Sequence, residues 1–196
     1  ITNPAGHQAN FTYDYRYSKV LTKTDANLNV TSNSYDVFGR PEVVAWPVGS
    51  PSALTTSYSY VTGAVGQQNV AVTATDSATG VSHAKSTYFD GFGREISTRS
   101  NGPEGKTLKT NTRYFNNNGK VKEKSLPFFD EETEYVTKYF YDYRGRILST
   151  EYPDSTTTTM DYGLRTTTFW DRKNQKRNVE ERDAYGRLIT VTEFSG

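Results

Sequence analysis

The sequence predicts an all-β protein, a meander of antiparallel β-hairpins arranged as a coiled strip of repeats. The first observation behind this is a short phrase that recurs along the chain: an aromatic residue, Asp, two further residues, Gly and a basic residue. The second is the heavy use of Tyr and Thr, which suit a half-exposed pleated surface. Stacked repeats usually form surfaces, spacers or containers, so the phrase favours a structural role over a single-pocket enzyme.

Five copies of the phrase, some stronger than others, define the repeat. They are Tyr35-Asp36-Val37-Phe38-Gly39-Arg40, Phe89-Asp90-Gly91-Phe92-Gly93-Arg94, Phe115-Asn116-Asn117-Asn118-Gly119-Lys120, Tyr141-Asp142-Tyr143-Arg144-Gly145-Arg146 and Arg182-Asp183-Ala184-Tyr185-Gly186-Arg187. The positions predicted to build the repeat turns are Tyr35, Asp36, Gly39, Arg40, Asp90, Gly93, Arg94, Asn116, Gly119, Lys120, Tyr141, Asp142, Gly145, Arg146, Asp183, Gly186 and Arg187.

Each part of the phrase has a mechanical role in a hairpin. The Asp side chain can accept hydrogen bonds from backbone N–H groups two or three residues further on, and Gly can take the left-handed conformation that closes the turn. The aromatic ring and the basic side chain are expected where the two strands meet, so that they pack across the pair. We therefore expect a structural role for these Asp residues and neither catalysis nor metal binding.

The spacing of the copies fits strands joined by tight turns. Asp14, Asp25 and Asp36 lie 11 residues apart, and Asp90, Asn116 and Asp142 lie 26 apart. About a dozen residues fits one strand and its turn, and about 26 fits two such steps. The interval from Asp36 to Asp90 is predicted to be irregular, with a degenerate turn at 76–80. The copies at 25–29 and 171–175 have lost the Gly.

The elements follow from the phrases in chain order. Predicted strands cover 69–75, 81–88, 107–115, 120–124, 133–141, 146–152, 156–162 and 187–194. They run back and forth around the turns and leave open edges at the two ends of the strip. No linker or change in composition divides the chain, so residues 1–196 are predicted to be one repeat region, a segment of a larger protein.

Composition supports a folded, thin sheet. The net charge is +1, aromatic residues make up 14%, and the mean hydropathy is −0.76. A chain that is nearly neutral and rich in aromatics is not typical of disorder, so its polarity indicates a large exposed area.

Other chemistry finds little support in the sequence, so we expect no enzymatic activity and no cofactor. Cysteine is absent, and neither His7 nor His83 has a second His at metal-binding spacing. The acidic run 130–134 lacks the alternating ligand pattern of a calcium loop and is predicted to be a solvated loop. The basic cluster 172–177 beside Trp170 is balanced by nearby acids, which argues against nucleic acid. No apolar run could span a bilayer.

The phrase resembles the YD repeat, also called the Rhs repeat, in which an aromatic residue and Asp are followed by two free positions, Gly-Arg and an aliphatic residue. The segments 141–148 and 183–188 match it closely, and the resemblance extends over residues 10 to 196. The family includes Rhs toxins, the B and C components of insecticidal toxin complexes, wall-associated proteins and teneurins.

The resemblance implies a large hollow shell, in which a strip of hairpins spirals around an enclosed polypeptide, typically a toxin. Its implied partners are adjacent repeats of the same protein, the enclosed cargo and other toxin-complex components, and its implied location is secreted or at the bacterial surface. Family members often end in an aspartyl autoprotease with an Asp-Pro step, which is missing here, so this segment is expected in the body or early part of the shell. An alternative is a carbohydrate-binding or adhesion module, because rows of exposed rings could stack on sugars.

Overall fold

The structure, a computed structural model, is built of β-strands joined by short turns, as the sequence predicts. It describes residues 1–2, 4, 6, 8–51, 53–64 and 66–195. The strands are β1 (Asn10–Asp14), β2 (Lys19–Thr24), β3 (Val30–Tyr35), β4 (Pro41–Trp46), β5 (Leu54–Val61), β6 (Gln68–Asp76), β7 (Ser82–Phe89), β8 (Glu95–Asn101), β9 (Thr107–Tyr114), β10 (Val121–Ser125), β11 (Phe128–Phe129), β12 (Val136–Tyr141), β13 (Ile147–Glu151), β14 (Thr157–Tyr162), β15 (Thr166–Trp170), β16 (Lys176–Arg182) and β17 (Leu188–Glu193). A single 3-10 turn, Pro103–Gly105, is the helical element of the described residues.

The chain divides into two compact units, Ile1–Leu108 and Lys109–Gly196. In the first unit each strand from β1 to β8 pairs antiparallel with the next one along the chain. The longest registers are those of β5 with β6 and of β6 with β7; the first pairs Leu54 with Asp76 at one end and Val61 with Asn69 at the other. This is the predicted meander.

The second unit follows the same rule with one excursion. Strand β10 pairs with β9 and with β12, and β12 to β17 then pair in chain order, all antiparallel. The excursion between β10 and β12 contains β11 and is closed by the Leu126 N–H, which donates to the Tyr135 carbonyl at 2.8 Å. Strand β12 therefore starts at Val136, three residues later than the predicted 133.

The interval from Asp36 to Asp90, in which the spacing of the phrase is predicted to be irregular, holds four regular strands, β4 to β7. Strands β6 and β7 confirm the predicted strands at 69–75 and 81–88, whereas β4 and β5 were not predicted. These two were missed because the connection between β5 and β6 has no Asp or Gly-basic signal. It turns instead on Gly66, with φ +84°, and on the Gln67 N–H, which donates to the Ala64 carbonyl at 2.9 Å.

The register of the strands places different types of residue on the two faces of the first unit's sheet. Large apolar side chains concentrate on one face of β5 to β7, at Tyr58, Tyr60, Val70, Val72 and Phe89. Small hydroxyl residues dominate the opposite face, at Ser57, Ser59, Thr73, Thr75, Ser82 and Ser86. The alternation follows from the two-residue period of strands and explains the abundance of Thr and Ser beside Tyr and Val.

Among the described residues no apolar side chain is fully buried. The buried polar residues are Asp14, Ser125 and Thr150. Each unit is therefore one layer of sheet without a dry core, which accounts for the low mean hydropathy. Hydrogen-bonded strand pairs and contacts between neighbouring turns have to supply the stability.

Candidate functional site

The strong copies of the phrase fold into one turn geometry, for which Asp142 is representative. The Asp142 N–H donates to the Arg146 carbonyl at 2.9 Å, and the Gly145 N–H donates to the Asp142 carbonyl at 2.9 Å. The Arg146 N–H donates to Asp142 Oδ1 at 2.9 Å. Gly145 has φ +78°, a left-handed conformation that glycine adopts without steric cost. The turn is thus a three-residue loop, which the phrase encodes locally.

An ion pair completes the turn. Arg146 Nε donates to Asp142 Oδ2 at 2.7 Å, and the same contact measures 2.7 Å at Asp36, 2.7 Å at Asp90 and 2.6 Å at Asp183. The remaining Asp oxygen accepts backbone N–H groups two and four residues on, as with Phe38 and Arg40 at Asp36. The carboxylate therefore binds the turn backbone with one oxygen and fixes the guanidinium with the other.

The hydrogen bonds hold these carboxylates in their charged form. Burial alone would raise the pKa of Asp142, but the bonds from the Arg146 N–H and guanidinium outweigh it, so the pKa lies below its usual range. At Asp183 the bond from the Arg187 N–H is the largest influence, and it lowers the pKa against the opposing effect of burial. The negative charge of each carboxylate thus takes part in the hydrogen bonds and the ion pair of its own turn.

Other turns reach a similar shape by different means. At 116–119 the loop has four residues, closed by the Phe115 N–H to the Lys120 carbonyl at 2.8 Å. The side chain that accepts the Lys120 N–H there is Asn118, at 3.0 Å, and not the predicted Asn116. Gly119 keeps the left-handed φ, at +68°.

In the copies that lost the Gly, Leu28 and Asn174 take its place with φ of +66° and +57°. Asp171 still accepts the Gln175 N–H at 2.9 Å, but its arginine partner is Arg177 on the following strand, at 2.6 Å.

The position of the turns explains the two spacings. Because successive strands alternate in direction, successive turns lie at opposite ends of the strands. Within each unit the turns with the full Gly-basic phrase lie at one end, here called the turn edge; they are 36–40 and 90–94 in the first unit and 115–120, 142–146 and 183–187 in the second. The degenerate copies at 25–29, 76–81 and 171–175 lie at the opposite end.

Contacts join one turn of the turn edge to the next. The Tyr141 hydroxyl donates to the Val121 carbonyl at 2.9 Å, and Lys120 Nζ lies 5.4 Å from the centre of the same ring. Tyr162 repeats the arrangement one hairpin later, with its hydroxyl 2.9 Å from the Ile147 carbonyl and the Arg146 guanidinium 3.9 Å above its ring.

The first unit has the same contacts. The Tyr35 hydroxyl donates to the Val20 carbonyl at 2.8 Å, and Lys19 Nζ lies 5.3 Å from the ring centre. Arg40 in turn stacks on Tyr60, at 4.0 Å. The aromatic residue thus packs on the basic residue of the preceding hairpin, whereas the two partners were predicted to lie within one hairpin. We call this series of contacts the turn ladder.

Glycine also lets neighbouring turns approach. A Cβ at Gly39 would lie 2.8 Å from Cδ1 and 3.0 Å from Cγ of the Tyr17 ring in the preceding turn. The Tyr17 hydroxyl donates to the Val37 carbonyl at 2.8 Å, and Lys19 Nζ donates to the Gly39 carbonyl at 2.6 Å. Gly39 is buried beneath this ring, whereas Gly93 and Gly186 are exposed.

The remaining candidate groups are occupied by structural contacts. In the acidic run, Asp130 pairs with Lys109, and Glu134 accepts Arg113 at 2.7 Å. In the basic cluster, Arg172 stacks on Tyr152 at 3.4 Å and Arg177 pairs with Asp171.

His83 is exposed on β7, and His7 lies outside the described residues. The part of the chain that the structure describes holds no cluster of three or more His, Asp or Glu side chains suited to a metal ion. The same residues form no helix with the length and apolar character needed to cross a membrane.

Comparison with known proteins gives a structural likeness only, since neither a family model nor a curated protein matches the sequence. The chain is similar to the structure of TcdB2-TccC3-Cdc42, with a TM-score of 0.75 and 13% identity over 97% of this chain and 16% of that chain. It is also similar to TcdB2-TccC3, with a TM-score of 0.66 and 15% identity over 96% of this chain and 14% of that one.

The structure of TcdB2-TccC3 without its hypervariable C-terminal region is a third similar structure, with a TM-score of 0.68 and 12% identity. That match covers 96% of this chain and 16% of the other. The chain thus spans 14 to 16% of the length of the chains it matches. At this level of identity the likeness concerns the fold alone, and the chain shares the fold of a part of these toxin-complex chains.

Proposed function

We propose that this chain is a non-catalytic wall segment of a β-shell of the YD or Rhs type, which encloses a polypeptide cargo. The observation that carries the proposal is the turn ladder. In each of its contacts an aromatic residue packs on the basic residue of the preceding hairpin, and this holds one hairpin against the next. Residues that are committed to such contacts build a wall and are not available for catalysis.

The single-layer architecture supports the same function. A wall that separates two aqueous spaces needs a continuous sheet with two solvated faces, and no apolar side chain of the described residues is fully buried. An enzyme of this size would instead be expected to form a thick core around a concave pocket.

The similar structures support the cargo and partners of the proposal. They are structures of a toxin-complex pair, TcdB2 and TccC3, and one of them includes Cdc42. By analogy the partners of this chain are adjacent repeats of the same protein, an enclosed toxin or other polypeptide, and further toxin-complex components. A secreted or surface location follows from the same analogy.

Electron cryomicroscopy of the longest natural protein that contains this sequence tests the proposal. We expect a hollow particle with residues 1–196 in its wall. A protease-protection assay of the same protein adds a functional readout, because cargo behind an intact wall is digested only after the wall opens. Tyr141→Ala, which removes a rung of the turn ladder, should expose cargo, whereas Tyr143→Ala, at an exposed turn tip, should not. A solid or rod-like particle would exclude the container.

Carbohydrate binding is the second candidate function. The rings of Phe11 and Tyr13 lie 6.4 Å apart and are nearly parallel, with an angle of 27° between their planes, and Tyr13 is 44% exposed, so its ring is accessible to a sugar. A glycan array probed with the chain and with Tyr13→Ala tests it. Binding that the substitution abolishes would favour adhesion, and the absence of binding to any glycan would remove this candidate.

A further inference from the structure

The turn edge of the second unit presents a row of exposed apolar residues, each next to an arginine. At the tips of the turns, Tyr143 is 88% exposed, Leu164 is 99% exposed and Tyr185 is 85% exposed. Arg144 and Arg165 follow the first two directly in sequence. Exposed apolar residues in a row, flanked by charge, are typical of an interaction surface.

A groove lies between the last two of these turns. It has a volume of about 430 Å³ and is lined by Leu164 and Arg165 from one turn and by Asp183 and Ala184 from the other. Arg146 and Arg182 also line it. Three guanidinium groups thus border one open groove whose rim is apolar.

Within the described part of the chain, two of the three arginines that line the groove form ion pairs with a carboxylate and one does not. Arg146 is paired with Asp142, and Arg182 with Glu180 at 2.9 Å. Asp183 is paired with Arg187 at 2.6 Å, so its charge is also neutralised. Arg165 has no carboxylate within ion-pair distance among the residues that the structure describes, and the same holds for Arg144. The groove therefore has an uncompensated positive charge, which favours an anionic group.

The distance between successive turns fits the binding of an extended polypeptide along the turn edge. Successive turns of one edge are two strands apart, which is about 10 Å for strands separated by roughly 4.8 Å. A polypeptide in the extended polyproline II conformation has three residues per turn and advances about 3.1 Å per residue, so every third side chain points the same way and meets a new turn. Acidic side chains at that period would reach successive arginines, and apolar residues between them would contact the row of exposed tips.

We propose that the turn edge of the second unit binds an extended acidic polypeptide segment, with a carboxylate side chain in the groove beside Arg165 and a second one at Arg144. The apolar residues of the segment pack against Tyr143, Leu164 and Tyr185. This interaction goes beyond the proposed enclosure of cargo, and it does not depend on a closed shell. It assigns a partner chemistry to the end of the strands at which Tyr143, Leu164 and Tyr185 are exposed.

Fluorescence anisotropy with the full 196-residue chain tests the proposal. The probe is a labelled peptide with Glu at every third position and Leu between, compared with a peptide in which Gln replaces every Glu and with one of the same composition in scrambled order. We expect the ordered acidic peptide to bind at least five-fold more tightly than either control and to weaken as salt is raised. Equal affinity for the ordered and scrambled peptides would overturn the spacing argument.

Matched charge variants locate the site. Arg165→Gln together with Arg144→Gln should weaken binding at least five-fold. Lys173→Gln together with Arg172→Gln, which removes two exposed positive charges at the opposite end of the strands in the same unit, should change it less than two-fold. Equal losses from both would indicate non-specific attraction. Competition by an oligonucleotide of equal charge at the same concentration would show that any polyanion binds, and would overturn the assignment to a polypeptide.

Discussion

The cost of placing a methyl group at Gly39 tests whether neighbouring turns are in contact. Gly39 and Gly93 occupy the same position of the phrase and both have φ +75°. Alanine in that conformation costs about 1–2 kcal/mol at either position. The sites differ in their surroundings, since the Tyr17 ring lies 2.8 to 3.2 Å from a Cβ at Gly39, whereas nothing lies within 4 Å of a Cβ at Gly93.

Overpacking of this kind costs about 1–3 kcal/mol, because the ring is held by its hydroxyl bond to the Val37 carbonyl and cannot move away freely. We therefore expect Gly93→Ala to lower the free energy of unfolding by about 1–2 kcal/mol and Gly39→Ala to lower it by about 1–3 kcal/mol more. Urea unfolding followed by intrinsic fluorescence measures both, with the slope against urea used to check that the unfolded states are comparable.

The Tyr17→Ala background isolates the contact. Without the ring, Gly39→Ala should cost no more than Gly93→Ala, because only the strain of the left-handed backbone is left. Such a double-mutant cycle measures the contact directly. Equal costs for the two alanines in the natural background would refute the packing of one turn on the next.

Three further predictions concern one repeat. Asp142→Asn should lower the free energy of unfolding at neutral pH and make it depend less on pH in the acid range. The pKa of Asp142 is lower in the folded state than in the unfolded state. Its stabilisation is therefore present above about pH 4 and is lost as the pH falls through the folded-state pKa. Urea midpoints at pH 7 and pH 3 check this, and an unchanged pH dependence would contradict it. Tyr141→Phe removes the bond to a carbonyl of the preceding hairpin and should cost about 1 kcal/mol. Tyr143→Phe, at an exposed tip, is its control, and equal midpoints for the two would count against the ladder. Arg146→Lys loses the Nε bond and the close ring stacking and should cost roughly 0.5–1 kcal/mol by the same measurement; full stability would show that any cation suffices.

The turns could be predicted from sequence because their determinants are local. Asp142, Gly145 and Arg146 lie within five residues, and the hydrogen bonds among them follow from residue type and spacing. The fold class followed from the recurrence of such turns between strands rich in Tyr and Thr. The connection between β5 and β6 escaped prediction because its turn uses Gly66 without an Asp or a following basic residue.

The contacts between hairpins could not be predicted in the same way. Tyr141 and Val121 are 20 residues apart, and their meeting depends on the register of β10 with β12. A shift of one residue would have turned the Tyr141 ring to the other face of the sheet. Local patterns identify the members of the turn ladder, but only the pairing of whole strands decides which members touch.

The turn ladder allows the sheet to be lengthened by the addition of hairpins, because each of its contacts joins only neighbouring hairpins. Each rung depends on one preceding hairpin, as Tyr162 depends on Arg146 and Tyr141 on Lys120. A gene duplication that adds one hairpin in phase would bring both halves of its own rung and leave every older rung intact. A damaging substitution would likewise disturb one junction and its neighbour. An evolving lineage can therefore lengthen such a sheet in steps of about 26 residues without redesigning any junction.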